Sequence, residues 1–534
     1  MSKTIHQILE FIEKNNNTII SKNILQNSQV DSIVMNTNVT NLYKSEKFCF
    51  VALKGQTDPL EKYLDRILRL NPSLLIVDKD CRYENIPSNF NFIVMRDLRG
   101  FLPSILKFFY EIEIQEFNIF GVTGTNGKTT ITTLLYNIFE ELSNIDPNYK
   151  SALIGTVKYI VNKKVISESS VSNIPLTTPD ICTIYYLLYL CKKENVKNIF
   201  MEVSSHSLDQ DRINGIDFKI TAFTNLSRDH LDYHKTMENY FEAKKKLFTK
   251  YKSEFKIINS QKRYGKILSE ELKNNECKNL VNFKIRRANS KIHSSTLLSS
   301  FYLSFTDPIS GKETKEKIET DLIGFYNFEN LSIVYITCYI FFNYILKTND
   351  LHKVKEFIKK SSTFLKNTGR LELINQSPFV FIDYAHTPDA LKNTLKTLLE
   401  FKNTIKANRL ILLFGAGGNR DKTKRPLMGK IASKYSDLII LTSDNPRNEN
   451  PSKIVEDIEK GIEKNKKYFV EIDRKKAIEK ALEIADKNDV ILIAGKGHEK
   501  YQIIGNQIIP FNDHQTVLEF FFKKEFFSKN TIKT

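Results

Sequence analysis

The stretch Gly121-Val-Thr-Gly-Thr-Asn-Gly-Lys-Thr-Thr130 decides the fold, because it combines a glycine-rich turn with a lysine and two threonines. An apolar run, Phe117 to Val122, leads into it, and a helix-like segment, Ile131 to Leu142, follows. A strand, a glycine-rich turn and a helix N-terminus together form a phosphate-binding loop. Val122 stands where the common G-x-x-x-x-G-K-[ST] pattern has its first glycine. The sequence therefore predicts a nucleotide-binding domain with a variant phosphate loop.

The residues of this loop have separate expected roles. Backbone N–H groups can approach a triphosphate where side chains are absent, the Lys128 ammonium can reach the β- and γ-phosphates, and the Thr129 hydroxyl can ligate Mg²⁺. The expected ATP contacts in the loop are Gly124, Thr125, Asn126, Gly127, Lys128, Thr129 and Thr130.

The composition is that of a large globular protein. The chain has 534 residues, of which 41% are hydrophobic, and this length allows three or four domains of roughly 100–200 residues. Six cysteines without paired spacing and a start that lacks an apolar signal core point to the cytoplasm. The longest apolar run, Ile333 to Leu346, falls short of the roughly 20 residues that a membrane-spanning helix needs, so we interpret it as a buried helix and expect no membrane contact.

The formal charge of +17 raises the possibility of a nucleic-acid partner. The lysines are spread along the chain and interleaved with Asn, Glu and Ile, instead of forming one basic stripe. A lysine-rich coding bias explains this pattern, and attraction of anionic substrates is the alternative. We expect no nucleic-acid partner and a monomer.

Alternation of apolar strands and helical stretches predicts an α/β fold with three domains. The predicted division is residues 1–114, a small α/β domain; 115–347, a central phosphate-loop domain with a parallel sheet; and 348–534, a C-terminal Rossmann-like domain. The predicted strands are 48–52, 74–77 and 92–95; 117–122, 198–203, 220–225 and 255–259; and 379–383, 410–414, 438–441 and 490–494. Gln261 to Lys317 is expected to form peripheral strands and loops.

Two polar clusters follow neighbouring strands of the central domain. Glu202 comes at the end of one strand, and His230 follows the next. Ligands of open α/β sheets bind at the carboxyl ends of the strands, so both side chains are expected beside the phosphate loop, where they can complete Mg²⁺ coordination. Taken singly, Glu202 could be a surface carboxylate and His230 a core histidine, but their joint placement favours the metal site.

Eight ordered motifs identify a family. They are T-G-T-N-G-K-T-T at 123–130, T-T-P-D at 177–180, E-V-S-S-H-S-L-x-Q-x-R at 202–212, T-N-L-S-R-D-H-L-D-Y-H at 224–234, E-A-K at 242–244, D-Y-A-H-T-P-D at 383–389, D-N-P-R at 444–447 and G-K-G-H-E at 495–499. Over nearly its whole length the chain resembles the Mur ligases, which build the peptide stem of bacterial peptidoglycan.

The resemblance implies an ATP-dependent carbon–nitrogen ligase with an acyl-phosphate intermediate. ATP phosphorylates a terminal carboxylate of a UDP-N-acetylmuramoyl-dipeptide, and an amino acid attacks, leaving ADP and phosphate. The implied catalytic residues are Lys128, Glu202, His230 and Lys244, and the implied Mg²⁺ ligands are Thr129, Glu202, His230 and Lys244. Lys244 matches a family lysine that becomes carbamylated. The alternative for the run Lys244 to Lys246 is an exposed basic helix face.

The resemblance also assigns substrate contacts. The implied UDP-substrate contacts are Val30, Ser32, Gly55, Gln56, Thr57, Thr177, Thr178, Ser204, Gln210 and Arg212, although Asp31-Ser-Ile33 departs from the family's D-S-R and the turn at 55–57 is one residue short. The implied ATP contacts of the later segments are Asn327, Arg370, Asp383 and His386, together with Asn330, for which a helix-packing amide is the alternative. The implied amino-acid pocket is Arg420, Asp444, Asn445, Pro446, Arg447, Gly495 and Glu499.

Arg447 favours meso-diaminopimelate as the amino acid. Diaminopimelate has a distal carboxylate that lysine and ornithine lack, and a guanidinium group matches a carboxylate with two parallel hydrogen bonds. An unpaired arginine would disfavour lysine. Two departures from the family stand nearby, Asn419 in place of a commoner acidic residue and Ala416 in place of a frequent cysteine. Lysine and ornithine stay open as alternatives.

Three other functions compete with this one. Folylpolyglutamate synthetase shares the architecture, but D-N-P-R, G-K-G-H-E and a full first domain count against it. A nucleic-acid-dependent ATPase would explain the charge, but it predicts motor motifs and a basic aromatic strip that the sequence lacks. A non-catalytic UDP-sugar-binding protein is disfavoured because Lys128, Thr129, Glu202 and His230 are all present.

Overall fold

Three large β-sheets flanked by helices make up the architecture, and they confirm the predicted α/β class. The computed structural model describes residues 2–15, 18–36, 47–54, 61–168, 176–287, 291–293 and 296–531. Each large sheet falls within one of the three ranges given above. The boundaries near residues 114 and 347 stay a proposal.

The first sheet is mainly parallel, with spatial order β2-β7-β6-β5-β4. The strands of this region are β1 (Lys3–Thr4), β2 (Ile19–Asn23), β3 (Gln29–Val30), β4 (Ser32–Val34), β5 (Phe48–Ala52), β6 (Leu74–Asp78) and β7 (Phe92–Met95). Its helices are α1 (Ile5–Asn15), α2 (Glu61–Arg69) and α3 (Leu98–Tyr110). The three strands predicted in this region are confirmed, because each is a run of apolar residues buried between helices.

The second sheet has eleven strands and places the phosphate loop at its centre. Its strands are β8 (Asn118–Thr123), β9 (Ser151–Ile154), β10 (Lys158–Val161), β11 (Lys164–Glu168), β12 (Asn198–Glu202), β13 (Phe218–Phe223), β14 (Ser253–Ile258), β15 (Leu280–Arg287), β16 (Lys291–His293), β17 (Thr296–Thr306) and β18 (Glu313–Thr320). The order is β11-β10-β9-β12-β8-β13-β14-β15-β17-β16, with β18 beside β17. Strands β9, β12, β8, β13, β14 and β15 are parallel neighbours, so their carboxyl ends meet at one edge.

Helices cover both faces of this sheet. They are α4 (Lys128–Ser143), α5 (Ile181–Lys193), α6 (Ser205–Asp209), α7 (Leu231–His234), α8 (Met237–Thr249), α9 (Arg263–Asn274), α10 (Phe325–Ile340), α11 (Leu351–Lys359) and α12 (Ser361–Phe364). The four strands predicted here are confirmed, and each observed end lies within two residues of the predicted one. The predicted helix after the loop is also confirmed, although it begins three residues earlier than predicted. The peripheral strands expected over Gln261–Lys317 are confirmed as β15 to β18, but the helix α9, which also lies in this segment, was not predicted. That helix buries Gly265, Leu268, Ser269 and Leu272, an i, i+3, i+4, i+7 stripe.

The predicted buried helix after residue 333 is confirmed as part of α10, which continues as a π-helical turn, Phe341–Ile345. The rings of Phe120, Phe139, Phe200 and Phe341 form neighbouring pairs whose centroids lie 4.9 to 5.0 Å apart. These contacts pack the C-terminal half of α4, at Phe139, against the sheet and the turn that follows α10. Within the described part of the chain, the helices lack the length and apolar character that a membrane-spanning segment needs.

The third sheet and the helices that connect its strands form the predicted Rossmann-like domain. Its strands are β19 (Glu372–Gln376), β20 (Phe379–Asp383), β21 (Leu410–Phe414), β22 (Leu438–Leu441), β23 (Tyr468–Val470) and β24 (Val490–Ala494), in the order β19-β20-β24-β21-β22-β23, and β25 (Tyr501–Ile504) and β26 (Gln507–Pro510) form a hairpin. The helices are α13 (Pro388–Ile405), α14 (Lys424–Tyr435), α15 (Pro451–Glu459), α16 (Arg474–Glu483) and α17 (Asp513–Thr531). All four predicted strands are confirmed, and the two edge strands were not predicted.

Candidate active site

The phosphate loop is held in shape by the segment that follows β13. The Thr125 backbone N–H donates to Asn225 O at 2.9 Å, and the Asn126 N–H donates to Asn225 Oδ1 at 3.0 Å. Gly124 has a φ of +147°, and a Cβ placed there would overlap the Thr224 hydroxyl. Gly127 has a φ of +92°, and a Cβ there would overlap Asn330 Oδ1. The loop is therefore a close-packed cradle that requires glycine at both positions.

Gly124→Ala is expected to destabilise the protein by about 1–3 kcal/mol and to weaken ATP binding, since its Cβ must displace Thr224 or the loop. Chemical denaturation and ATP titration by calorimetry measure the two effects. Gly311→Ala is the matched control, because Gly311 also has a positive φ of 71° but nothing lies within 4 Å of its Cβ position. Equal losses in both variants would contradict this account of the loop.

Two lysines, the half-buried Lys128 and the buried Lys244, converge on one carbonyl of the loop. Lys128 Nζ donates to Gly124 O at 2.9 Å and to Thr125 O at 3.0 Å, and Lys244 Nζ donates to Gly124 O at 2.9 Å. Burial lowers the pKa of Lys128, which Glu202 opposes, and burial together with the Lys128 charge holds the pKa of Lys244 well below its usual range. Lys244 is only 1% exposed, so the alternative of an exposed basic helix face is wrong.

Glu202 forms the acidic centre of the site. Its carboxylate accepts hydrogen bonds from the Thr129 hydroxyl at 3.0 Å, the Thr156 N–H at 2.8 Å and the Thr156 hydroxyl at 3.1 Å. Arg370 Nη2 donates to Thr129 Oγ1 at 3.1 Å, which brings a cation from the third sheet to the loop. Glu202 is 1% exposed, so the alternative of a surface carboxylate is wrong.

These groups line a cavity of about 210 Å³ between the second and third sheets. Its polar wall contains the whole loop from Thr125 to Thr130, together with Glu202, His230, Arg370, Asp383 and His386. The remaining lining residues are Thr156, Thr177, Asp229, Tyr326, Tyr384, Ala385, Ala390, Asn393 and Thr394. The structure therefore brings most of the expected ATP and metal contacts into one cavity.

An aspartate joins the two histidines of this cavity across the domain interface. Asp229 Oδ2 lies 3.4 Å from His230 Nε2 and 3.9 Å from His386 Nε2. The His230 side chain is 45% exposed at its edge, yet desolvation by the surrounding protein lowers its pKa, and Asp229 opposes that shift. Burial also lowers the pKa of His386. Both rings therefore favour the neutral form, in which a ring nitrogen is free to accept a proton or ligate a metal.

Asp383 and the two asparagines of α10 support the cavity from behind. Asp383 accepts hydrogen bonds from the Leu371 N–H at 2.6 Å and the Ala385 N–H at 2.9 Å, which fixes the backbone beside Arg370. Asn327 Nδ2 donates to Ile323 O at 2.8 Å, and Asn327 is absent from the cavity lining. Asn330 packs against Gly127. In this structure both amides serve helix and loop packing.

A second cavity, of about 160 Å³, adjoins the first. The two share Asp229, His230, Tyr384 and His386. The second cavity is also lined by Arg228, Asp232, Gly417, Arg420, Asp421, Lys424, Asp444, Asn445, Arg447, Gly495 and Glu499. It therefore gathers the expected amino-acid contacts, apart from Pro446.

Charged side chains of both signs line this second cavity. Arg447 Nη1 donates to Gly418 O at 3.0 Å, and Arg420 Nη1 lies 3.6 Å from Asp232 Oδ2. Burial and the nearby Arg420 charge lower the pKa of Arg447. Glu499 Oε2 accepts from Lys496 Nζ at 2.9 Å and from Asn445 Nδ2 at 2.8 Å, and burial raises its pKa. Arg447 has no carboxylate partner among the described residues, so it is available to an anion.

The expected UDP-substrate contacts fall into two groups. In the first group, Arg212 Nη1 donates to Thr178 O at 2.9 Å and Nη2 to Gln210 Oε1 at 2.6 Å. Thr178 also hydrogen-bonds to Ser204, and Thr177 accepts from Thr156, so these five residues form one cluster beside Glu202. The second group is Val30 and Ser32, which are buried in the first sheet region. Gly55, Gln56 and Thr57 lie outside the described residues.

Sequence reasoning missed several residues that the cavities contain. Thr156 follows β9, which is a parallel neighbour of β12, so both strands end at the same edge of the sheet. Its position after this strand could therefore have indicated that it lies beside Glu202. Lys424 gave no comparable signal, since it lies at the start of α14 and reaches the cavity only through the packing of that helix. Asp229 and Tyr384 stand inside quoted motifs, yet only the folded arrangement gives each a place between the two cavities.

His498 in the G-K-G-H-E motif gives a pH prediction. Burial lowers its pKa to about 3, with Arg370 and Lys496 acting in the same direction. The unfolded chain therefore binds a proton below about pH 6.5 that the folded chain does not, so the stability falls as the pH drops from about 6.5 toward 3. His498→Gln is expected to reduce the slope of unfolding free energy against pH, over pH 4.5–6.5, by up to about 1.4 kcal/mol per pH unit.

Urea titrations at several pH values measure that slope. His352→Gln is the control, because His352 is exposed on α11. A His498→Gln variant whose slope matched the parent protein would contradict the assignment of a neutral buried imidazole.

Comparison with known proteins identifies a family of ligases. The Mur ligase middle domain matches residues 122–338, and the Mur ligase glutamate ligase domain matches residues 369–497. Proteins named UDP-N-acetylmuramoyl-L-alanyl-D-glutamate–2,6-diaminopimelate ligase are similar over most of the chain. The one from Aquifex aeolicus (strain VF5) is 39% identical over 88% of this chain and 90% of its own length. The one from Clostridium tetani (strain Massachusetts / E88) is 34% identical over 96% of this chain and 99% of its own length.

Solved structures show the same three-domain arrangement. A structure of a UDP-N-acetylmuramoyl-L-alanyl-D-glutamate–2,6-diaminopimelate ligase has a TM-score of 0.58 and 27% identity, and covers 98% of this chain and 100% of its own. The MurF ligase from Thermotoga maritima, solved in complex with ADP, has a TM-score of 0.56 at 15% identity. The match covers 92% of this chain and 97% of that one. On the matched domains and the full-length relatives, this chain belongs to the Mur ligase family.

Proposed function

We propose that this chain is an ATP-dependent ligase that joins meso-diaminopimelate to UDP-N-acetylmuramoyl-L-alanyl-D-glutamate in peptidoglycan synthesis. The observation that carries the proposal is a pair of adjoining cavities. One cavity contains the phosphate loop, the other is lined by three arginines, and the two share Asp229, His230, Tyr384 and His386. A phosphorylated carboxylate formed in the first cavity would face an amine held in the second. The relatives' names agree with this substrate pair.

The first cavity suits phosphoryl transfer to a carboxylate. Lys128 and Arg370 bring positive charge to the loop, where the transferred phosphoryl group would carry its negative charge. Thr129 and Glu202 offer a hydroxyl and a carboxylate, the oxygen ligands that Mg²⁺ prefers, and the neutral His230 ring can add a nitrogen. When bound there, Mg²⁺ would neutralise phosphate oxygens during transfer.

Lys244 fits the proposed carbamate. Its amine is buried and its pKa is held well below the usual range, which favours the neutral amine, the form that reacts with carbon dioxide. Carbamylation would place a negative charge beside Lys128. An oxygen ligand for a cation would then stand beside the loop.

The second cavity suits an amino acid with two charged ends. Arg447 has no carboxylate partner among the residues that the structure describes, and a half-buried guanidinium without one would favour a ligand carboxylate. Glu499 and Asp444 line the same cavity and suit an ammonium. Lysine and ornithine would leave Arg447 unpaired, so we rank them below diaminopimelate.

The remaining parts of the proposal concern the nucleotide substrate and its setting. We assign the uridine end to the first domain through Val30 and Ser32. The Ser32 hydroxyl is buried, and among the described groups it has no hydrogen-bond partner, which suits a ligand contact. The cluster around Arg212 would contact the diphosphate and peptide portion. We propose a cytoplasmic monomer that needs no nucleic-acid partner.

The direct test is product formation. Purified protein is incubated with ATP, Mg²⁺, UDP-N-acetylmuramoyl-L-alanyl-D-glutamate and meso-diaminopimelate, and ADP and the nucleotide product are quantified. We expect ADP and a product larger by one diaminopimelate residue in equal amounts, and neither when the nucleotide dipeptide is omitted. ADP release that depends on a polynucleotide instead would overturn the proposal.

A further inference from the structure

Lys424 is a buried lysine that none of the roles above uses. It is the first residue of α14 and is 9% exposed. It lines the second cavity together with Arg420, Asp444 and Glu499. Its ammonium donates to His386 O at 3.0 Å, and His386 is one of the four residues that both cavities share. Lys424 therefore stands at the end of the amino-acid cavity that faces the phosphate loop.

The hydrogen bonds of Lys424 are incomplete. An ammonium has three donors, and the carbonyl of His386 is its single acceptor among the described residues. Burial lowers its pKa, while Asp229, Asp444 and Asp421 act to keep it charged without forming an ion pair with it. A buried cation with two free donors is stabilised by an anionic ligand.

The chemistry of the proposed substrate identifies that anion. The attacking amine must reach the acyl phosphate at the boundary of the two cavities. The carboxylate on the same carbon as that amine must then lie at this boundary as well. Arg447 lines the second cavity but not the first, so it lies away from the phosphate loop and suits the distal carboxylate.

We propose that Lys424 binds the carboxylate adjacent to the attacking amine and so places the amine at the boundary of the two cavities. This inference rests on the proposed ligase function. It makes Lys424 a residue for amino-acid placement in general, because lysine and ornithine carry the same carboxylate. Arg447 alone would then distinguish diaminopimelate from those two amino acids.

Lys424→Met tests the inference through the amino-acid kinetics. We expect the KM for diaminopimelate to rise by about 100-fold, as for loss of one partner of a buried charge pair. The KM for ATP and the amount of acyl phosphate trapped by hydroxylamine without amino acid should stay within about twofold. Lysine serves as a competitor of diaminopimelate, and its inhibition constant should weaken by the same factor as the KM. In Arg447→Met, the inhibition constant of lysine should not change.

Lys422→Met is the matched control, since Lys422 lies two residues earlier, is 65% exposed and pairs with Glu449. Lys424→Arg keeps a cation and should recover activity to within about tenfold of the parent protein, which separates loss of charge from misfolding. A Lys424→Met variant with an unchanged KM for diaminopimelate would overturn the inference, and so would one whose main defect is acyl-phosphate formation. Failure of the parent protein to make any tripeptide would instead overturn the proposed function.

Discussion

Lys128→Met is expected to lower the rate of ADP formation by at least about 1000-fold. Its ammonium lies on the phosphate loop, bonded to Gly124 O and Thr125 O, and methionine keeps most of its volume without the charge. Cationic groups at a transferred phosphoryl group typically contribute 10³-fold or more to the rate. A coupled assay of ADP release, with the nucleotide dipeptide and diaminopimelate saturating, measures the loss.

Lys219→Met is the control for that variant. Lys219 lies on β13 in the same sheet but pairs with Glu254 at the surface, 3.2 Å away, so its loss should change the rate by less than about twofold. The circular dichroism and thermal midpoint of Lys128→Met should remain close to those of the parent protein. Retention of a tenth or more of the activity by Lys128→Met would contradict the assignment of the ATP site.

Arg447→Met should lower kcat/KM for diaminopimelate by about 100- to 1000-fold and leave turnover of lysine, where it occurs, nearly unchanged. The physical reason is that the distal carboxylate would be left in a half-buried cavity without its guanidinium partner. Initial rates with each amino acid give the ratio of the two kcat/KM values. That ratio, and not the absolute rate, reports on specificity.

Arg286→Ala provides the comparison for Arg447→Met. Arg286 is exposed on β15, far along the sheet from the phosphate loop, and stacks on Tyr302. Its loss should change neither amino acid's kinetics. Equal losses for diaminopimelate and lysine in Arg447→Met would mean that Arg447 supports the fold of the cavity without selecting its ligand.

The interior strands were predictable from sequence because burial on both faces leaves an apolar run with polar neighbours. Phe379–Asp383 and Val490–Ala494 are such runs, and their observed bounds match the prediction. The edge strand Tyr468–Val470 is half exposed, so it gives no apolar run. Helix Arg263–Asn274 was missed because its stripe of small and apolar residues lies in a lysine-rich segment. Both elements are stabilised by tertiary contacts, through pairing of the edge strand and packing of the helix stripe, and local sequence does not show such contacts.

The candidate site was predictable where a motif fixes both residue type and strand end. Glu202 is the last residue of β12 and His230 follows β13. These strands are the two parallel neighbours of β8, so the topology places both residues beside the loop. The link from Asp229 to His386 crosses two domains, and sequence distance gives no indication of it. Lys424 was invisible for the same reason. Contacts between domains depend on how the domains pack against each other, and a local sequence pattern does not predict that packing.

The central claim is that this chain is a diaminopimelate-selecting ligase, and a single competition experiment tests it most directly. The protein is given ATP, Mg²⁺ and UDP-N-acetylmuramoyl-L-alanyl-D-glutamate with equal concentrations of meso-diaminopimelate, lysine and ornithine, and the products are separated by mass. The account predicts one dominant product, which carries diaminopimelate. A dominant product that carries lysine or ornithine, or no tripeptide product at all, would contradict it.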